Sequence, residues 1–354
     1  MNINKSITYI LTAATIVLGS CELDYAPENT LVDEKVYKNE KTAEAALMGN
    51  YVRLNVFMAG APQDQNNYAN TGYTYQLGDL TTENFAIRET MTSYLAVDKG
   101  EFSSTEHDGI LKNIWYWGYN CIDFSNNIIS GIMRFGQYDE KIERQHIAEA
   151  KFIRAYAYFN LVRLFAKVPK IDKTMTAEEL ADVKPSTPAE LYAFIEKDLE
   201  EAIAVLPESY SKAFAGRVTV YTAHALKAKV HLYQAEYAAV AEHAGKVMES
   251  GRYRLLSDFR EVFSIDGENS EESLFEIQCS DLGMSTGTNV PYFEYAYHQG
   301  PRGGKNASNM QGWGFCVPSA DLIKFYEDRG EVIRPATTLL RAGTTTPEGD
   351  YIDT

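Results

Sequence analysis

Apolar residues recur at helical spacing along much of this chain. The clearest stripe consists of Ala148, Phe152, Ala155, Phe159 and Val162, spaced four and three positions apart. That spacing puts all five on one face of an amphipathic helix, which is predicted to close at Pro169. Two earlier stretches, the second near residues 110–132, have similar stripes. Their apolar members are Ala43, Leu47, Tyr51 and Leu54, then Trp115, Tyr119, Ile122 and Ile129.

A fourth predicted helix carries its own start signal in the stretch STPAEL, residues 186–191. Thr187 is predicted as the N-cap, Pro188 as the first helical residue, and Glu190 as the residue that completes a capping box. Pro207 is expected to end this helix. Its predicted buried stripe is Leu191, Ile195, Leu199, Ala202 and Leu206.

Residues 218–253 are predicted to form two antiparallel helices joined around Ala235. Ala228 is small where such a pair must approach closely, and four residues are predicted to line the second helix: Tyr237, Val240, Ala244 and Val247. The hairpin resembles a degenerate tetratricopeptide unit, with a Tyr just after the turn. The pattern therefore predicts an all-α fold in which helix pairs stack as an α-solenoid, with long irregular loops and a few short strands.

Two long segments, at about 59–84 and 281–317, lack helical spacing. Loops longer than roughly 15 residues without structure of their own are usually functional or disordered. Their many aromatic residues disfavour disorder; the stretch VPYFEYAYHQG at 290–300 alone holds four rings. Function is therefore predicted to reside in these two segments.

Composition narrows the class of ligand. The 354 residues are 45% hydrophobic, enough for a large core, and carry a formal charge of −16. Such a chain has no broad basic face for phosphate backbones, so nucleic acid is excluded as an expected partner. The 24 Tyr against 3 Trp supply flat apolar faces with a hydroxyl at the edge, which suit ligands that are half apolar and half polar.

The first twenty residues have the pattern of a processing segment. Lys5 provides a positive start, and residues 7–18 form an uncharged apolar run that is short for a membrane span. The run ends in Leu-Gly-Ser-Cys at 18–21, which resembles a bacterial lipobox with Cys21 as the acylated first mature residue. The alternative is an ordinary small-residue cleavage site beside a chance Cys.

The remaining functional signals are weak. Cys121, Cys279 and Cys316 are widely and irregularly spaced, so no disulfide framework is predicted, and Cys121 is expected in the core. His224 and His231 lie seven positions apart on one helix and are expected at surface or core positions rather than at a metal. No catalytic constellation, cofactor motif or metal site is predicted.

Several stretches together resemble the SusD/RagB family of outer-membrane, surface-exposed nutrient-binding lipoproteins of Bacteroidetes. They occur in family order. They are the lipobox Cys21, AEAKFIRAYAYFNLVRLFAKVPKI at 148–171, TPAELYAFIEKDLEEAIAVLP at 187–207, the hairpin at 216–255, EESLFEIQ at 271–278, and GWGFCVPSADLIKFYED at 312–328 followed by IRPATTLL.

The resemblance implies a helical protein of tetratricopeptide-like pairs whose irregular loops form a glycan site. Such proteins sit as a lid on a SusC-like TonB-dependent transporter and deliver oligosaccharides, or in some members peptides, without catalysis. The implied organisation is a signal peptide at 1–20, a lipid-anchored tether at 21–39 and one helical domain at 40–354. The stretch at 22–40 is polar and is predicted to be irregular. Family members usually continue past this region, so the chain is expected to be short at its C-terminal side, as a fragment, a truncated product or a short variant.

Sugars present apolar C–H faces ringed by hydroxyls, so a glycan site needs exposed rings beside polar side chains. The predicted ligand-binding residues are Tyr73, Tyr75, Tyr292, Tyr295, Tyr297, Trp313, Asn70 and Arg302. Each ring has an alternative role in packing its loop onto the helices. Peptide capture and an anchored glycoside hydrolase, which needs two nearby carboxylates, are the alternative functions.

Overall fold

Helices dominate the computed structural model, which describes residues 33–59, 77–78, 81–87, 92–101, 108–278, 299–301, 312, 314, 316–345 and 351–352. The first helices are α1 (Asp33–Tyr37), α2 (Glu40–Ala59), α3 (Thr92–Asp98), α4 (Asp108–Phe135), α5 (Glu140–Phe165) and α6 (Ala177–Asp182). Next are α7 (Pro188–Ile203), α8 (Val220–Tyr233), α9 (Tyr237–Glu249), α10 (Ala320–Asp328) and α11 (Ile333–Thr338). Two short strands, β1 (Phe85–Ile87) and β2 (Cys316–Pro318), complete the set.

Helix α5 lies at the centre of the core. Asp139 caps its start by accepting bonds from the backbone N–H groups of Lys141 and Ile142. It packs against α4 on one side and α7 on the other, with α2 and α8 also in contact. All five residues of its predicted stripe are buried, so that prediction is confirmed. The helix ends at Phe165, four residues before Pro169, because Ala166 adopts a positive φ of 59°.

The start of α7 confirms the predicted capping box. Thr187 Oγ1 accepts from the Glu190 N–H at 3.3 Å, and a Glu190 carboxylate oxygen accepts from the Thr187 N–H at 2.8 Å. Pro188 occupies the first turn, where its missing N–H costs nothing. The stripe of this helix is buried against α5.

Helices α8 and α9 form the predicted hairpin. Ala235 joins them with a φ of 60°, and the Glu236 N–H donates to the His231 carbonyl oxygen at 3.0 Å. Ala228 and Val247 are buried as predicted. The prediction for Tyr237 is wrong: its side chain is 68% exposed, because the first residue of α9 stands beside the turn rather than between the two helices.

Two other predictions need correction. Trp115 was predicted within the apolar stripe of α4, but it lies at the surface, with its ring against Phe165 and Tyr119. Residues 33–37 lie in a stretch predicted to be irregular, yet they form α1, and Tyr37 is buried against α4. Cys121 is fully buried, as predicted, and burial raises the pKa of its thiol.

The two strands pair antiparallel, with Ala86 opposite Val317 at the centre of the register. The prediction of a helical fold with a few short strands is confirmed. The predicted signal peptide and Cys21 lie outside the described residues. Among the helices that the structure describes, none combines the length and apolar character needed to cross a membrane.

Candidate ligand site at the ends of two long segments

The predicted ligand-binding side chains all lie outside the described residues. This holds for Tyr73, Tyr75, Asn70, Tyr292, Tyr295, Tyr297, Arg302 and Trp313, so their roles remain predictions. The structure instead describes the scaffold from which the two long segments leave and to which they return. The described residues that precede the two segments lie close together, and so do those that follow them.

The C-terminal ends of the two segments are joined by the β1–β2 sheet. Strand β1 follows the first segment directly, and β2 closes the second. Beyond the sheet, the Ser319 N–H donates to the Asn84 carbonyl oxygen at 2.9 Å. Ser319 Oγ donates to the Glu83 carbonyl oxygen at 2.5 Å. The chain is therefore bonded to itself across 236 positions of sequence.

The register explains how a proline fits into β2. Hydrogen-bonded and non-hydrogen-bonded pairs alternate along an antiparallel ladder. Because Ser319 bonds to Asn84, the next pair, Pro318 opposite Phe85, falls at a non-hydrogen-bonded position. The absent N–H of Pro318 is therefore not needed. Val317, opposite Ala86, falls at the hydrogen-bonded position.

The residues that lead into the N-terminal ends of the two long segments line a cavity of about 210 Å³. Helix α2, which leads into the first segment, forms one wall, and residues 275–278, which lead towards the second, form another. A turn at 215–217 closes a third side. The side chains from the first two walls are Met48, Tyr51, Val52, Asn55, Phe275, Glu276, Ile277 and Gln278.

The turn at 215–217 depends on a glycine. Gly216 has a φ of 84°, a conformation that side-chain-bearing residues rarely adopt. A Cβ at this position would also overlap the side chain of Gln278. Glycine thus permits both the turn and its close approach to the cavity wall.

A buried carboxylate fixes the polar side of the cavity. Glu149, on α5, is fully buried and accepts from Tyr51 Oη at 2.7 Å and from Tyr210 Oη at 3.1 Å. Gln145 donates to it at 3.1 Å, and Arg217 donates through Nε at 3.0 Å and Nη2 at 2.6 Å. Five donors therefore surround one carboxylate and link α2, α5 and the loop before α8.

Arg217 in the cavity wall forms ion pairs with two carboxylates. Besides its bonds to Glu149, its Nη1 donates to Glu44 on α2 at 2.9 Å. Burial alone would lower the pKa of Arg217, but its bonds to Glu149 outweigh that effect and raise it. Burial, followed by the charge of Glu149, raises the pKa of Tyr51. Both groups thus keep their protons at all physiological pH values.

This arrangement can orient a ligand. Apolar side chains line much of the cavity, while Tyr51, Arg217 and Gln278 provide polar edges, as in sites that bind through shape and a few hydrogen bonds. Both carboxylate oxygens of Glu149 already accept hydrogen bonds from these five donors. Sequence spacing could not have identified the network, since Arg217 lies 68 positions from Glu149 and 173 from Glu44.

Comparisons with known proteins agree with this architecture. A family model described as "Starch-binding associating with outer membrane" matches residues 31–232. "SusD-like protein P2" of Formosa agariphila is 28% identical over 331 residues, covering 91% of this chain and 61% of the relative. The chain also spans 61% of the length of a "SusD-like protein" of Bacteroides ovatus, at 25% identity.

Solved structures share the fold. A "Laminarin binding SusD-like protein" superposes with a TM-score of 0.70 at 23% identity, covering 82% of this chain and 65% of that one. A "Surface glycan-binding protein A" from Bacteroides thetaiotaomicron, in complex with laminarihexaose, gives 0.66 at 20% identity, covering 81% and 61%. At these identities the likeness establishes the tetratricopeptide-like helical fold of the chain.

Proposed function

The chain belongs to the SusD-like family, and on that premise we propose that it binds a glycan at the outer membrane. The observation that carries the proposal is the junction of the two aromatic-rich segments. Their C-terminal ends are paired in one sheet, and the residues that lead into their N-terminal ends line one cavity. In this proposal, rings from both segments contact a single ligand.

The predicted side chains supply the chemistry of this proposal. Tyr295 and Trp313 stack on the apolar faces of sugar rings, while Asn70 and Arg302 bond to hydroxyls. Laminarin and starch are the first glycans to test, because the structural neighbours and the family description name them. Catalysis is not part of the proposal.

The test uses the protein beginning at residue 22, which cannot be acylated, against a panel of polysaccharides that includes laminarin and starch. Isothermal titration calorimetry is expected to detect one bound glycan. Tyr295→Ala or Trp313→Ala should weaken binding at least about tenfold, equivalent to about 1.4 kcal/mol. Tyr237→Ala is the matched control, since it removes an exposed ring from the scaffold.

Three outcomes would contradict the proposal. They are no binding to any glycan, equal loss of binding in the Tyr237→Ala control, and conversion of the glycan into shorter products detected by mass spectrometry. The last outcome would favour the glycoside hydrolase. Peptides retained by the purified protein would favour peptide capture.

Delivery is the second part of the proposal. We propose that Cys21 is acylated, that residues 21–39 tether the helical domain of 40–354 to the outer membrane, and that the protein serves a SusC-like TonB-dependent transporter at the cell surface. Affinity purification from detergent-solubilised outer membranes is expected to recover such a transporter. Cys21→Ala should release the protein from the membrane fraction and leave glycan affinity unchanged, which separates anchoring from binding.

A further inference from the structure

Two helices and the turn between α8 and α9 bring one imidazole and two carboxylates together at the tip of the α8–α9 hairpin. Glu196 comes from α7, His231 from the last turn of α8, and Glu236 is the residue immediately before α9. One ligand atom from each side chain lies within 4.8 Å of the other two. Glu196 is 35 positions away from His231, so no sequence motif joins the three.

The turn geometry sets the positions of two of these groups. The positive φ of Ala235 reverses the chain, and the Glu236 N–H bonds to the His231 carbonyl oxygen. His231 Nδ1 and a Glu236 carboxylate oxygen then lie 2.6 Å apart. On the third side, Gln234 Nε2 donates to Glu196 at 2.6 Å and orients that carboxylate.

A further contact restrains the imidazole. The ring of His243, on α9, stacks parallel on that of His231, with centroids 5.5 Å apart and an interplanar angle of 3°. His243 is itself held by His224, whose Nδ1 atom lies 3.0 Å from its own. His231 is therefore fixed in orientation while Glu236 at the exposed edge leaves a path to solvent.

The local charge favours a divalent cation. The two carboxylates carry a charge of about −2, which one such ion would neutralise. The nearby buried ammonium of Lys227 is already paired with Glu200 at 2.7 Å. Its positive charge is therefore offset outside the cluster.

We propose that Glu196, His231 and Glu236 form a binding site for one Zn²⁺-like ion. Imidazole and carboxylate ligands at about 2.0–2.2 Å are typical of zinc, with water in the fourth tetrahedral position. Calcium and magnesium prefer all-oxygen sets, so the imidazole selects against them. The bound ion would connect the start of α9 to α7 and so stabilise the tip of the α8–α9 hairpin.

The test uses tag-free protein of the whole chain after chelator treatment. Calorimetry with ZnCl₂ is expected to give one ion per chain, and Zn²⁺ should raise the Tm, since an ion that binds only the folded state stabilises it. Glu236→Gln and Glu196→Gln keep side-chain shape while removing charge. Each should weaken Zn²⁺ binding at least about tenfold, the lower limit of what losing a supporting partner costs a metal site.

Glu242→Gln is the matched control. Glu242 is an exposed carboxylate on α9, the helix that follows Glu236, and it lies outside the cluster. It should bind Zn²⁺ like the parent protein, and Co²⁺ in the parent should give the visible absorption of a tetrahedral site. The proposal is overturned if no stoichiometric ion binds, if Glu242→Gln weakens binding as much as Glu236→Gln, or if Mg²⁺ raises the Tm equally. These readouts do not involve glycan, so they are independent of the proposed function.

Discussion

Buried charged residues form polar contacts between helices, in addition to the packing of the apolar stripes. Arg154, on α5, donates to both carboxylate oxygens of Asp198, on α7, at 2.7 and 2.8 Å. Its Nη1 also donates to Asn126, on α4, at 2.6 Å. Burial raises the pKa of Asp198 even though the bonds from Arg154 lower it. Burying the pair therefore costs desolvation free energy, and the pair stabilises the fold only while both members are present.

Asp198→Ala should lower the free energy of unfolding by about 3–5 kcal/mol, because it leaves the Arg154 charge buried without its partner. Urea denaturation followed by circular dichroism measures the change. Asp328→Ala is the control, since the Lys324–Asp328 pair at 2.7 Å is exposed and should contribute less than about 1 kcal/mol. Similar losses in the two variants would refute this account of the buried pair.

His146 is expected to make stability pH-dependent. It is 1% exposed, with Nδ1 3.1 Å from Tyr138 Oη, and burial lowers its pKa below the usual value. The unfolded chain takes up a proton on this residue below about pH 6.5, whereas the folded chain does so only at lower pH. Its contribution is therefore present above that pH and is lost as pH falls towards the folded pKa.

His146→Gln should flatten the acid side of the stability curve. The slope of unfolding free energy against pH should fall by up to about 1.4 kcal/mol per pH unit relative to the parent protein, below about pH 6.5. Urea titrations at several pH values measure both slopes. Parallel curves for the two proteins would show that the imidazole does not titrate on unfolding.

At the scale of elements, helix α4 uses glycine for close packing. A Cβ at Gly131 would overlap the ring of Tyr37 on α1, and one at Gly118 would come within 2.9 Å of Leu161 on α5. Glycine inside a helix costs about 1 kcal/mol relative to alanine. Its presence in α4 therefore reflects the approach of neighbouring helices rather than a local helix preference.

Gly131→Ala and Gly245→Ala should change stability in opposite directions. The first inserts a methyl group into packed space, and overpacking costs about 1–3 kcal/mol, which outweighs the helix preference of alanine. The second, on α9, meets only the end of Glu249 at 3.9 Å and should stabilise by roughly 0.5–1 kcal/mol. Thermal unfolding measures the stability of both variants. A stabilised Gly131→Ala protein would contradict the close contact inferred between Gly131 and Tyr37.

At the scale of the whole molecule, three backbone pairs hold together parts of the chain more than 200 residues apart. The sheet is short, yet it joins the C-terminal ends of both proposed ligand segments. We therefore expect it to have a small effect on the packing of the helices and a large effect on the geometry of the proposed site. Changes in the sheet should therefore alter binding more than helix content.

Val317→Pro should lower glycan affinity at least about tenfold while the helical circular dichroism stays unchanged. Proline removes the N–H at the hydrogen-bonded position opposite Ala86. Pro318→Val is the matched control, because that position needs no N–H and should bind like the parent protein. Parent-like affinity in Val317→Pro would mean that the sheet does not set the relative placement of the two segments.

The sequence by itself determined the six longest of the described helices and most of their buried faces. Stripes such as Leu191, Ile195 and Leu199, the cap at Thr187 and the reversal at Ala235 depend on contacts within a few residues, so spacing and side-chain chemistry suffice to predict them. The failures at Tyr237 and Trp115 arose where an aromatic residue in the first turns of a helix is covered only in part by neighbouring elements.

Only the tertiary structure decided which distant groups meet. The members of three such pairs, Glu149 with Arg217, β1 with β2, and Glu196 with His231, are 35 to 233 positions apart. No local pattern encodes such pairs. Their partners are selected by the packing of whole helices, which places charged groups inside when a complementary group arrives from elsewhere. The candidate site could thus be predicted as two aromatic segments, whereas the scaffold that joins them could not.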